Sequence, residues 1–96
     1  MSTWPLEDGN TLVRDFDKDL GGGYLIESDG VRFRWVWAER GEEPERGEWR
    51  ATEGEAIRAA ANNWEEAGSL MLRPTYLAML RREATKAENR EAPDAQ

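Results

Sequence analysis

Apolar and polar residues alternate along residues 24–38, Tyr-Leu-Ile-Glu-Ser-Asp-Gly-Val-Arg-Phe-Arg-Trp-Val-Trp-Ala. A period of two marks strands that bury one face. Asp29-Gly30 lies between the two alternating runs and predicts a two-residue type I′ hairpin turn, because Asp and Gly tolerate positive φ. That turn sets Ser28 opposite Val31, Glu27 opposite Arg32, Ile26 opposite Phe33, Leu25 opposite Arg34 and Tyr24 opposite Trp35. Opposed residues share a face. One face then carries Tyr24, Ile26, Val31, Phe33, Trp35 and Trp37. The other carries Leu25, Glu27, Arg32, Arg34 and Val36, with Glu27 and Arg32 as an opposite-charge pair.

Weaker alternation over Thr11–Phe16 predicts a first strand, and residues 48–51 around Trp49 predict a short returning strand. Between them, residues 39–48 hold no apolar side chain, one proline and two glycines, which reads as an exposed loop. Met1 to Asn10 reads as an irregular lead-in that Trp4-Pro5-Leu6 could pin to the body, and Asp17 to Gly23 as a turn ending in three glycines.

The period then changes. Thr52-x-x-Glu55 is a capping box, with Thr52 as N-cap. Ile57, Ala60, Ala61 and Trp64 make the apolar stripe of a helix running to about Ala67, with Gly68 as its stop. Pro74 opens a second helix to about Asn89, striped by Tyr76, Leu77, Leu80, Ala84 and Ala87. Strands followed by helices predict an α+β fold. The expected architecture is a three- to four-stranded antiparallel meander followed by two helices, at least one packed on the aromatic sheet face. The polar face is expected to stay open to solvent or a partner. Residues 1–90 form one domain on this reading, and residues 91–96 a disordered tail.

Composition narrows the chemistry. The chain has 96 residues with neither cysteine nor histidine. Disulfides, thiolate zinc sites, thiol nucleophiles and the commonest general base and metal ligand are therefore excluded. No apolar run approaches the roughly 18 residues of a membrane span, and the N-terminus lacks the look of a signal peptide. A cytoplasmic protein is expected. Twenty acids against 13 bases leave a net charge of −7. Direct nucleic-acid binding is disfavoured, because affinity for the phosphate backbone comes from basic groups. A basic protein partner is favoured.

Candidate sites were weighed on their spacing. Asp15, Asp17 and Asp19 repeat like the start of a calcium loop, but its sixth position is Leu20 and its twelfth Ile26, where Gly and Glu are required. Gly21-Gly22-Gly23 is followed by no Gly-Lys-Ser/Thr and leads into a strand, so a phosphate loop fails. Arg32 and Arg34 alternate with Trp35 and Trp37, which puts bases and rings on opposite faces and argues against a single-strand binding platform. No pair of carboxylates is singled out for catalysis, so no enzyme, no metal and no cofactor is expected. The remaining candidates are the acidic segments, with Asp15, Asp17, Asp19, Glu42, Glu43 and Glu45 as partner-binding residues.

Residues 47–56, Gly-Glu-Trp-Arg-Ala-Thr-Glu-Gly-Glu-Ala, are similar to the strand-to-helix junction of HicB-like antitoxins, and the preceding hairpin fits. The long 39–48 loop, the added first strand and a second helix without a DNA-binding motif depart from that pattern. As a type, a short acidic chain without cysteine or a catalytic constellation resembles the phage-encoded inhibitors called anti-CRISPR proteins, whose members frequently block basic nucleic-acid channels, sometimes as DNA mimics. That resemblance implies an inhibitor, monomeric or homodimeric, of a host nucleic-acid-binding complex. The alternative is an antitoxin-like or structural adaptor protein using the sheet face of Leu25, Arg32, Arg34 and Val36.

Overall fold

The computed structural model describes residues 6–16, 22–39, 41–67 and 73–91. The chain runs β1 (Thr11–Asp15), β2 (Gly22–Ser28), β3 (Phe33–Glu39), β4 (Glu45–Arg46), α1 (Glu53–Ala67) and α2 (Pro74–Glu91). The four strands form one antiparallel sheet in the order β1-β2-β3-β4, so the fold is the expected α+β meander followed by two helices. The expected lead-in pin at Trp4-Pro5, residues 17–21 of the expected 17–23 turn, Gly68 and residues 92–96 lie outside the described residues, while Gly22 and Gly23, expected in that turn, open β2.

The β2–β3 register differs from the expected one by two residues. Ser28 pairs with Phe33, Glu27 with Arg34, Ile26 with Trp35, Leu25 with Val36 and Tyr24 with Trp37. Asp29 is the reason. Its Oδ1 accepts the amide protons of Val31 at 2.9 Å and Arg32 at 2.8 Å, while its own N–H donates to the Arg32 carbonyl at 3.3 Å. The chain therefore folds back around Gly30-Val31, with Gly30 at φ 103° and the Ser28 hydroxyl accepting its N–H. A shift of two preserves the faces, since side chains alternate with period two. It expels Val31 from the apolar face to 77% exposure at the tip. Arg32 pairs with Asp29, and Glu27 pairs with Arg34.

Both helices lie over the aromatic face. Phe16, Tyr24, Ile26 and Trp35 form one buried cluster with Ala56, Ile57, Ala60 and Ala61 of α1 and Tyr76, Leu77, Leu80, Ala84 and Ala87 of α2. The small alanines let α1 approach β2 and β3 closely, and α2 packs along α1. Thr52 caps α1 as expected, its Oγ1 accepting the Glu55 N–H at 3.1 Å. Glu91, expected in the tail, ends α2 and accepts the Gly54 N–H at 2.9 Å, satisfying another free amide of the α1 first turn. The hydroxyl of Tyr76 joins three elements. It accepts the Tyr24 N–H at 3.0 Å and donates to the Phe16 carbonyl at 2.9 Å, in a buried site.

The second sheet face is closed where it was expected to be open. Leu25, Glu27 and Val36 are buried, and the Arg34 side chain is 11% exposed. Arg34 Nε donates to the Glu27 carboxylate, and its Nη2 lies 2.9 Å from Glu7. Glu27 also accepts the Glu7 N–H at 3.2 Å, clipping that segment to the sheet. Trp49 completes the cover, with the guanidiniums of Arg32 and Arg34 at 4.7 and 4.2 Å from its ring centroid. Of the adaptor surface named above, Leu25, Arg34 and Val36 are spent on internal contacts, while the Arg32 side chain is half exposed.

Two substitutions test this packing by chemical denaturation. Tyr76→Phe leaves a buried amide and carbonyl without their shared partner and is expected to cost about 1–3 kcal/mol. Gly47→Ala drives a methyl into the Trp35 indole and is expected to cost about 1–3 kcal/mol, whereas a loss under half that would show that β4 yields.

Candidate functional site

A four-stranded meander must bring its first and third connections to the same end. Asp15, at the close of β1, pairs with Leu25, and Glu39, at the close of β3, pairs with Gly22. The described residues Glu39, Glu42, Glu43 and Glu45 therefore share one pole, while Asp15 sits level with Leu25 and Val36 in the middle row of the sheet. Asp17 and Asp19 lie outside the described residues. Asp15 and Glu45 sit on opposite edge strands, about 14 Å apart at three strand spacings. They also belong to different faces. Asp15 is in the row Asp15–Leu25–Val36–Arg46, and Glu45 in the row Tyr24–Trp37–Glu45. The pole carries acids along its rim, with no single cleft gathering them.

The described residues of the 39–48 segment include a strand where a loop was expected. The returning strand, expected around Trp49 at residues 48–51, begins earlier, at Glu45–Arg46, and only a single bridge joins Arg50 to Phe33. The Gly47 N–H donates to the Trp35 carbonyl at 3.0 Å, and the Glu42 N–H to the Glu39 carbonyl at 3.0 Å. Gly41 at φ 84° permits that tight turn. Glu42, Glu43 and Glu45 are exposed. Among the described residues none of the three carboxylates forms an ion pair or accepts a hydrogen bond.

The contrast is with the acids elsewhere. Glu53 and Glu83 grip Arg14 at 3.1 and 2.7 Å, and Glu88 holds Arg58 at 2.8 Å. Glu27 and Glu7 hold Arg34, and Asp29 holds Arg32. A register shift between Leu12 and Arg14 makes the first of these possible, since it turns Arg14 onto the face of Ile26, toward the helices. The α1 C-terminal end adds to the acidic pole. Trp64 packs on Trp37 at 5.5 Å, which places Glu65 and Glu66 at this end. The last turn of α1 has no basic residue, so both acids face the negative end of the helix dipole. Glu65 is offset by Arg81.

Beneath the rim stands a layer of rings. Tyr24 lies 4.9 Å from Trp37, 6.2 Å from Trp64 and 6.4 Å from Tyr76, and its hydroxyl donates to Asn63. Burial pushes the Tyr24 phenol well above its ordinary value, with Tyr76 and Glu45 adding to the shift. It is a structural hydroxyl at neutral pH. The Trp64 N–H is buried and has no acceptor among the described residues, with the Tyr76 ring nearly perpendicular at 5.3 Å. Trp37 Nε1 donates to Glu39 at 3.2 Å. This Trp37–Glu39 pairing, and Glu45 directly across from Trp37, escape a reading that treats residues 39–48 as a featureless loop.

Among the described residues, no group of three or more acids is arranged to hold a metal ion. No described helix is long and apolar enough to cross a membrane. Comparison of the chain with protein-family models, with curated proteins and with solved structures gave no match.

The ion pairs predict an acid response. Hydrogen bonds from the Arg32 and Val31 amides and the Arg32 guanidinium lower Asp29 from 3.8 to about 2. Arg14 lowers Glu83 and Arg58 lowers Glu88, each below the ordinary 4.5. Carboxylates depressed by folding contribute stability that is complete above their unfolded values and lost as pH falls through the folded ones. Thermal midpoints are expected to stay flat from pH 7 to about 5 and to decline from there toward pH 2. A midpoint that rose on acidification would show that repulsion among the acids outweighs these pairs.

Proposed function

We propose that this protein is a non-enzymatic inhibitor that binds a basic, nucleic-acid-binding surface of a host defence complex, as anti-CRISPR proteins do. The acidic pole stands in for nucleic acid. Supporting this reading is one observation above the others: Glu42, Glu43 and Glu45 stand together on one connection, exposed and without a cationic partner among the described residues, whereas Glu7, Glu27, Asp29, Glu53, Glu65, Glu83 and Glu88 are ion-paired. Carboxylates presented from a hydrogen-bonded turn and a short strand lose less entropy on meeting arginines and lysines than those on a free chain. Phosphates of a nucleic acid offer the same charge to the same groups. Asp15, Asp17 and Asp19 extend the acidic surface along the chain on this reading. The setting is the cytoplasm of an infected cell, the protein being encoded by a phage or another mobile element.

Contacts of this kind weaken as salt screens them. Tagged protein is expected to retain a basic nucleic-acid-binding complex from host lysate at about 50 mM salt and to release it by roughly 0.5 M. The Glu42→Arg, Glu43→Arg, Glu45→Arg triple variant, folded to the same thermal midpoint within a few degrees, is expected to bind at least tenfold more weakly. Undiminished capture by the variant rejects this site. Retention of the partner in high salt would instead favour an apolar contact.

A further inference from the structure

We infer that Trp37, flanked by Glu39 and Glu45, is a receptor for an arginine side chain of the partner, so that the acidic pole distinguishes arginine from lysine. The inference rests on the proposed function and specifies what that surface recognises. Trp37 is only half-buried, at the rim of the ring layer where the pole begins. Glu45 is its direct partner across the β3–β4 ladder, which puts their Cβ atoms roughly 5 Å apart on one face. Glu39, two residues along the same strand, accepts the indole N–H at 3.2 Å and steadies the ring. Trp64 backs the indole at 5.5 Å with the planes tilted by 34°. One aromatic ring, with Tyr24 at 4.9 Å and Trp64 at 5.5 Å packed against it, thus has a carboxylate at its N–H edge and a second acid directly across the ladder.

The chemistry of such a place is specific. A guanidinium is planar and weakly hydrated. It stacks on an indole while its N–H fork reaches a carboxylate. An ammonium is a compact, strongly hydrated charge that gains the carboxylate and less of the ring. The molecule already uses this combination on its other face. There Arg32 and Arg34 both lie over the Trp49 ring while donating to Asp29 and Glu27. The Trp37 position has the same indole-and-carboxylate elements. Charge complementarity commits the occupant to a cationic side chain, and the uncovered part of the half-buried ring selects arginine among cations.

The test uses nona-arginine and nona-lysine peptides with the full chain, followed by titration calorimetry and by the indole N–H resonances in NMR spectra at low salt. Wild type is expected to bind nona-arginine about fivefold more tightly than nona-lysine, with the Trp37 indole signal moving for arginine alone. Trp37→Leu is expected to abolish that preference while still binding both peptides. Glu42→Gln with Glu43→Gln is expected to weaken both alike and leave the preference in place. If Trp37→Leu unfolds the chain, Trp37→Phe and the wild-type indole shifts carry the test. Equal affinity for the two peptides, or a preference that survives Trp37→Leu, overturns the inference and leaves the acidic-pole reading standing. Failure of wild type to bind either peptide overturns both.

Discussion

The carboxylate of Asp29 closes the central turn by taking the amide protons of Val31 and Arg32, and so fixes how β2 and β3 slide against each other. From that register follow the rows of the sheet. Tyr24 comes level with Trp37, and Trp37 with Glu45. Glu27 comes level with Arg34, giving the buried charge a partner in the next strand. A slip of one residue would exchange the two faces, sending the rings to one side and the buried ion pair to the other. The shift of two that separates the sequence reading from the structure is harmless to the faces. It moves Val31 to the tip and hands the role of Glu27's partner from Arg32 to Arg34.

The same structure distributes its cations unevenly. Arg14, Arg34 and Arg58 are committed to joining elements: β1 to both helices, the lead-in segment to the sheet, and α1 to α2. Ion pairs this exposed contribute little each. Glu27 is the exception, because a fully buried carboxylate without Arg34 and the Glu7 amide would be costly. The β3–β4 segment, residues 39–48, carries Arg40 and Arg46 against Glu39, Glu42, Glu43, Glu45 and Glu48. That segment stays negative through the number of its acids, five against two bases.

What the sequence made legible were the elements with strong periodicity. The α2 stripe of Tyr76, Leu77, Leu80, Ala84 and Ala87 is the buried set found in the structure. Thr52 caps α1 where the Thr-x-x-Glu pattern put it. Less legible was whatever depended on a side chain reaching the backbone. Nothing in the spacing distinguishes an Asp29 that sits inside a turn from one that braces it from below. The closed second face was hidden for a related reason. Its cover comes from Glu7 and Trp49, two residues in segments without periodicity that meet over Arg34 only in three dimensions. Of the six acids singled out, Glu42, Glu43 and Glu45 stand exposed on one connection. Asp15 lies on the far edge strand in the middle row of the sheet, and Asp17 and Asp19 fall outside the described residues. Their exposure was readable from composition. That Glu45 belongs to a strand and stands beside Trp37 was not, because a two-residue strand has too few positions to show a period.

A small scaffold that presents negative charge from an ordered edge needs no reaction of its own to act, if its target is a surface built for phosphates. The most direct measurement is competition on a captured complex. Partner retained from host lysate on immobilised protein is washed at constant ionic strength with the nucleic acid that the partner normally carries, or with an uncharged polymer of equal mass. Release by the nucleic acid and retention in the polymer is the result this account predicts. A partner that stays bound while its nucleic-acid site is filled would contradict it.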